Sequence, residues 1–106
     1  MDNRLVLAGI VRGTPRTRVT PAGIPITSFR LQHRSRQREA GYEREVLCSI
    51  GVVIAGEEWR DVLRELRQGS AVRISGFLSR ADNRQGEYRL VLHGQRIEMI
   101  DQEFKQ

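Results

Sequence analysis

The sequence predicts an all-β domain in which five strands close into a barrel and one α-helix lies between the third and fourth strands. Five stretches combine apolar runs or apolar–polar alternation with flanking turn residues, as strands do. A further stretch repeats its apolar residues with a helical period. Glycine recurs inside apolar strands, as Gly9 in VLAGIV and Gly76 in RISGFL, which is typical of strands that bend at a barrel corner. This pattern favours a single OB-fold over residues 1–106, with a small α+β sheet sandwich as the alternative.

The strands are expected in the order βββ-α-ββ. In the second strand, which follows the turn TPAGIP, apolar and polar residues alternate. Leu31 is therefore expected in the core, and Arg30 and Arg34 on the opposite face. The five predicted strands are Arg4–Gly13, Ile24–Arg34, Arg44–Ile54, Ser70–Arg80 and Gly86–Ile100.

The helix is predicted over EEWRDVLRELRQG, residues 57–69. Acidic residues lie early in this stretch and basic residues late, which matches the helix dipole. Gly69 is expected to end the helix. Trp59 heads the apolar stripe and is therefore expected to pack in the core. The stripe recurs at i, i+3, i+4 and i+7: Trp59, Val62, Leu63 and Leu66.

The net charge of +5 is unevenly distributed along the chain. Residues 1–38 carry eight arginines and one acidic residue, whereas residues 39–70 have a net charge of −3 and residues 71–106 of +1. Positive charge concentrated in the first third indicates a polyanionic partner such as nucleic acid. Seventeen of the eighteen basic residues are arginine, whose planar side chain fits phosphate and stacks on bases.

Residues with catalytic chemistry are few and scattered. His33 and His93 each lie in a predicted strand without an acidic partner nearby in sequence. Cys48 lies in an apolar stretch, where it is expected to be buried. The sequence shows no clustered metal ligands and no glycine-rich phosphate loop. We therefore expect no enzyme activity, no cofactor and no metal.

The sequence also bears on the cellular compartment. A lone cysteine cannot form an internal disulfide, which fits a reducing cytosol. No apolar run approaches the roughly 18 residues of a membrane span, and the run Leu5–Leu7 is too short for a signal peptide. We expect a cytoplasmic protein without a membrane partner.

The candidate binding residues coincide with the regions that an OB-fold presents to its ligand. In this fold the groove lies across strands 2 and 3, between the 1–2 and 4–5 loops. Proteins that bind single-stranded nucleic acid line such a groove with basic side chains and aromatic rings. The candidates in these regions are Arg12, Arg18, Arg34, Tyr42, Arg44, Arg80, Arg84 and Arg89.

Several motifs carry a more specific resemblance: NRLVLAGIV, GIP, HRS, EAGY, SGFLSR and LVLH. Over nearly the whole chain, from Asn3 to Asp101, the sequence resembles the PriB family of primosomal replication proteins, which are relatives of bacterial single-stranded DNA-binding protein. The resemblance implies a bacterial homodimer of OB-folds that binds single-stranded DNA. It further implies work with the PriA helicase and the DnaT protein, to reload the replicative helicase at stalled forks.

The resemblance also carries over individual residues. The basic residues and the aromatic of the family's groove fall on Arg18, Arg34, Arg44, Arg84, Arg89 and Tyr42. Two positions depart from the pattern. Leu47 stands where some members have a tryptophan for base stacking, and Asp82 stands at a basic position, two residues after Arg80.

These departures motivate a second hypothesis, a protein-interaction adaptor whose OB-fold dimer bridges primosome proteins while nucleic-acid binding is secondary. An RNA-binding OB-fold module is a third hypothesis, which the 2′-hydroxyl of RNA can distinguish from the first.

Overall fold

The computed structural model describes residues 1–82 and 85–101. Its strands join in the closed order β1-β2-β3-β5-β4, with β3 and β5 parallel and the other neighbours antiparallel. This arrangement confirms the predicted five-stranded OB-fold barrel. The elements are β1 (Leu5–Val19), β2 (Pro25–Glu39), β3 (Tyr42–Ala55), α1 (Arg60–Arg64), β4 (Ala71–Asp82) and β5 (Tyr88–Met99).

The core fills the inside of the barrel with aliphatic side chains from all five strands. In β2, Phe29 and Leu31 are buried while Arg30 and Arg34 are exposed, as the alternation predicts. The other strands contribute in the same way, because one face of each is inside the barrel. The largest fully buried side chains are Leu31, Ile54, Ile74, Leu92, Ile97, Val11, Val52 and Val72.

Gly9 and Gly76 lie where two backbones approach each other closely. A Cβ atom at Gly9 would overlap the carbonyl oxygen of Gln32, and one at Gly76 would overlap that of His93. Gly9 also precedes the point at which β1 changes neighbour, because residues 5–10 pair with β4 and pairing with β2 begins at Ile10. The two glycines therefore permit neighbouring strands to approach closely, and at Gly76 the pairing of β4 with β5 also shifts register.

The helix is much shorter than predicted: α1 spans five residues instead of thirteen. Gly69 has a positive φ of 96°, and the backbone N–H of Arg67 bonds to the Ser70 hydroxyl instead of continuing the helix. The apolar stripe nevertheless packs against the core, with Leu66 buried and Trp59 half-buried. Trp59 also donates its indole N–H to the carbonyl of Gln95 at 3.0 Å. The helical period thus records the packing of this segment correctly but overestimates the length of the helix.

β1, β2 and β3 are several residues longer than predicted, and the extra length builds projecting hairpins. β1 continues to Val19, and β2 and β3 pair without interruption to the two-residue turn at Ala40 and Gly41. Both turn residues have positive φ, 54° and 84°, as tight hairpin turns require. Because β3 and β5 run parallel as neighbours, the β2–β3 and β4–β5 hairpins leave the barrel at the same end. The β1–β2 turn lies at the other end.

Candidate nucleic-acid interface

The exposed side of β1–β3 gathers basic side chains from separate parts of the sequence. In the pairing register Arg12 lies opposite Arg30, Arg18 opposite Ile26 and Arg34 opposite Leu47. Directly opposed residues of antiparallel strands point to the same side, and the alternate residues of β2 fill the core. The other side, which we call the outer face, therefore carries seven arginines: Arg12, Arg16, Arg18, Arg30, Arg34, Arg36 and Arg38.

The arginines of the outer face are spread along the strands. Arg18 pairs in register with Ile26, which is eight residues before Arg34 on β2. At about 3.3 Å per residue, the two guanidinium-bearing positions are separated by up to about 26 Å along the strand. The outer face is therefore long enough to follow several phosphates of one nucleic-acid strand.

A groove of about 740 Å³ runs beside this face. Arg12 donates its Nε–H to the side-chain oxygen of Gln32 in the groove wall. Leu47 leaves 62% of its surface exposed there. The groove thus combines cationic and apolar surface, which single-strand binding sites use, with the carboxylates of Glu45 and Asp101 in its lining. The residues that line it include Ala8, Ile10, Arg12, Arg34, Leu47 and Ile100.

Carboxylates partly neutralise the projecting β2–β3 hairpin. Arg34 donates from Nε to Glu45 Oε2 at 2.7 Å, and a second pair of the same kind joins Arg36 and Glu43 at 3.2 Å. All four side chains are largely exposed. Exposed pairs of this kind are worth about 0–1 kcal/mol each, so a phosphate can displace the carboxylate.

Tyr42 and Arg44 lie on the opposite side of the same hairpin. Tyr42 pairs in register with Glu39, and Arg44 with Gln37, positions that alternate with those of Arg34 and Arg36. The pair Arg44–Glu39, 3.2 Å apart, joins neighbours on this side. Tyr42 is 75% exposed next to the turn. The fold therefore places Arg34 and the Tyr42–Arg44 group on two sides of one ribbon.

The candidate binding residues of the β4–β5 hairpin also lie on two different sides. Arg89 pairs with Ala81 and alternates with Leu92 of the core, so it extends the outer face. Arg80 pairs with Leu90 on the other side, where its Nε lies 3.1 Å from Asp82. The acidic departure at Asp82 is thus directly paired with its neighbouring arginine. Arg84 lies outside the described residues.

Two residues are more exposed to solvent than their positions in the sequence suggest. Cys48 is exposed, not buried, because it belongs to the part of β3 that projects beyond the barrel. Tyr88 is 62% exposed for the same reason on β5, although it continues the alternation that buries Leu92. Tyr88 is not among the residues that the sequence predicts to bind nucleic acid. Its position beside the glycine of the β4–β5 loop was the available signal.

His33 has a structural contact of the kind that strand histidines commonly make. Its Nδ1 lies 2.7 Å from the carbonyl oxygen of Ala8, and its Nε2 lies 2.7 Å from the Ser35 hydroxyl. In residues 1–82 and 85–101 no group of three or more His, Cys, Asp or Glu side chains could hold a metal ion. No helix in that part of the chain has the length and apolar character to cross a membrane.

Comparisons with known proteins identify the fold and the family of this chain. Residues 3–96 match the protein-family model described as "Another single-strand binding protein family". A structure of the single-stranded DNA-binding protein from Thermus aquaticus, a deletion mutant, shares the fold with a TM-score of 0.79 at 21% identity. That match covers 95% of this chain and 51% of the other. Fold and sequence therefore define the class as a relative of single-strand binding protein.

The closer similarities identify the branch within this class. The replication restart protein PriB of Enterobacter sp. (strain 638) is 44% identical over 101 residues, which is 95% of this chain and 97% of the relative. The structure of PriB from Ralstonia solanacearum superimposes with a TM-score of 0.76 at 30% identity, covering 93% of this chain and 98% of that one. The chain belongs to the PriB family of replication restart proteins.

Proposed function

We propose that this chain binds single-stranded DNA along its outer face and serves as an accessory protein of replication restart in the bacterial cytoplasm. One observation carries the proposal: the pairing register places seven arginines on one exposed side of β1–β3. In such an arrangement, cationic side chains follow the phosphate backbone of an unpaired strand. The proposed contacts on this face and its extension are Arg12, Arg18, Arg34 and Arg89. Tyr42, Arg44 and Arg80, on the opposite side of the two projecting hairpins, and Arg84 in the β4–β5 loop complete the proposed set.

The test is a fluorescence-anisotropy titration of a labelled single strand at several salt concentrations, with a duplex of the same sequence as the control. We expect preference for the single strand. If about four phosphates are neutralised, log K falls with log salt with a slope of about −3. A flat salt response, or equal binding to duplex, contradicts the proposal. A matched RNA oligonucleotide tests the RNA-binding hypothesis in the same assay.

We further propose that the chain acts as a homodimer together with PriA and DnaT. One feature of β1 supports a dimer. Residues 5–9 pair with β4 alone in the described register, and Val6 within this segment is 57% exposed. A strand with an available edge can add the same strand of a second copy about a two-fold axis. Light scattering during gel filtration tests this, because a mass of 12.2 kDa at all concentrations contradicts the dimer.

A second candidate function is the protein-interaction adaptor. Two observations favour it. Leu47 offers an exposed apolar surface in the groove, and arginines of the β2–β3 hairpin are already ion-paired with carboxylates. The charge reversal Arg34→Glu separates the hypotheses. Arg73→Glu is the matched control, because Arg73 is also exposed and also paired with a carboxylate, at 3.5 Å from Glu98.

The DNA-binding hypothesis expects Arg34→Glu to lose DNA binding and restart activity together, while Arg73→Glu keeps both. The adaptor hypothesis expects Arg34→Glu to lose DNA binding but retain binding to purified PriA and retain restart activity in reconstitution. The two variants should be compared at equal folded fraction, measured by circular dichroism.

A further inference from the structure

The projecting part of the β4–β5 hairpin carries apolar surface that the barrel core does not use. Tyr88 is 62% exposed and Leu90 is 55% exposed. Both continue the alternation of Leu92, which is fully buried, so they lie on the side of the hairpin that extends the inner surface of the barrel. The two side chains therefore form a small exposed apolar patch outside the core, and such patches are often binding surfaces.

The Tyr88 ring is held in place by its neighbours across the hairpin. The guanidinium carbon of Arg80 lies 4.8 Å from the ring centroid, within the range of a cation–π contact. Arg80 is itself oriented by Asp82, which pairs in register with Tyr88 and lies 3.1 Å from Arg80 Nε. These contacts fix the ring on one side and leave most of its surface accessible to solvent.

The position of Tyr88 relates it to the other exposed tyrosine. The hairpins that carry Tyr42 and Tyr88 leave the barrel at the same end, because β3 and β5 are parallel neighbours. Each ring also has an arginine near it on its own hairpin: Arg44 is two residues from Tyr42, and Arg80 contacts Tyr88. An aromatic face beside a guanidinium is the combination that holds a base and its phosphate in single-strand binding sites.

We propose that Tyr88, oriented by Arg80, is a base-stacking platform for single-stranded DNA on the β4–β5 hairpin. The proposal rests on the proposed function and adds a second aromatic contact to it, at the end of the barrel where Tyr42 lies. A base stacks on the exposed part of the ring. The Arg80 guanidinium beside the ring then lies close enough to the nucleotide to attract its phosphate.

A purely structural role for the same contact makes a different prediction. If the Arg80–Tyr88 pair only stabilises the hairpin, the loss of the ring disturbs every ligand that touches the hairpin, with or without bases. A stacking platform instead responds only to bases. An oligonucleotide that has the sugar–phosphate chain but lacks bases therefore distinguishes the two roles.

The experiment measures Kd by anisotropy for oligothymidine of about 15 nucleotides and for an abasic strand of the same length. The variants are Tyr88→Ala and Tyr88→Phe, with Met99→Ala as the control for shortening an exposed apolar side chain elsewhere on β5, since Met99 is 45% exposed. We expect Tyr88→Ala to weaken oligothymidine binding by about 5- to 150-fold, the range given by stacking energies. Abasic binding and the salt slope stay unchanged, and Tyr88→Phe and Met99→Ala bind like the parent protein.

Each other outcome has a defined meaning. Equal loss for both ligands, or no loss for oligothymidine, overturns the stacking platform. Failure of the parent protein to prefer single strands over duplex overturns the proposed function instead, so the two failures are distinguishable. Unfolding curves establish that Tyr88→Ala is folded, which its exposed position leads us to expect.

Discussion

Replacing Glu45 by glutamine should increase the affinity for single-stranded DNA. Glu45 holds Arg34 in an ion pair in which the side chains are 73% exposed for arginine and 42% for glutamate. A phosphate that binds Arg34 must displace this carboxylate and then remain near its charge. Glu45→Gln removes both obstacles without changing the size of the side chain.

The magnitude follows from two contributions. Giving up an exposed ion pair costs about 0.2–1 kcal/mol. Repulsion between the displaced carboxylate and a phosphate about 6 Å away costs about 0.7 kcal/mol in water. Together these amount to about 0.9–1.7 kcal/mol, so we expect Glu45→Gln to lower the Kd roughly 5- to 20-fold. The gain should shrink as salt is raised, because exposed charges are screened.

The assay is the anisotropy titration with a single strand, at low and at physiological salt. Glu98→Gln is the matched control, because Glu98 is exposed and paired with Arg73 and Arg96, and is not among the groove-lining residues. It changes the net charge equally, so its gain should stay below about two-fold if local release of Arg34 is the cause. Equal gains in both variants would refute the local mechanism. No gain in Glu45→Gln would show that Arg34 does not contact the DNA.

Three further predictions concern the groove and the barrel. Arg12→Gln should reduce the salt slope of single-strand binding by about 0.7 if Arg12 neutralises one phosphate, and an unchanged slope contradicts that contact. Gly76→Ala should destabilise the fold by about 1–3 kcal/mol or more in urea unfolding, because its Cβ overlaps the carbonyl of His93. Gly51→Ala is the control and should be nearly neutral, since a Cβ there would lie 3.8 Å from its nearest neighbour, the flexible side chain of Arg30. Leu31→Ala, at 0% exposure, should cost about 2–5 kcal/mol by calorimetry, and a smaller loss would mean that the core refills the cavity.

The barrel could be predicted from the sequence because burial imposes a period on each strand. Leu31 lies between two exposed polar neighbours, and this pattern identifies it as a core residue. The glycines at positions 9 and 76 mark points where two strands of the barrel come close together. The outer-face position of Arg34 follows from the same alternation. These features are local, so a single sequence contains them.

The features that the sequence reasoning missed depend on where the barrel ends. Residues 35–43 are almost all polar because they project into solvent, so no apolar alternation marks them as strands. The ladder of opposite charges and the turn at Gly41 hold them together instead. Cys48 lies in an apolar stretch and Tyr88 continues the alternation of Leu90 and Leu92, but both side chains are exposed beyond the core. The sequence overestimates the length of α1 for a related reason. Leu66 packs against the core at the spacing expected for a helix, although the helix itself ends before it.

The separation of Arg18 from the hairpin residues has a consequence for which DNA the protein can select. Positions up to about 26 Å apart along β2 cannot both be occupied by a strand of two or three nucleotides, whereas about eight nucleotides at a stacked rise of 3.4 Å span them. Under the proposed binding mode, the length of single-stranded DNA that is exposed decides how much of the face it contacts. A short gap would then contact one end of the outer face, and only a longer gap would contact both.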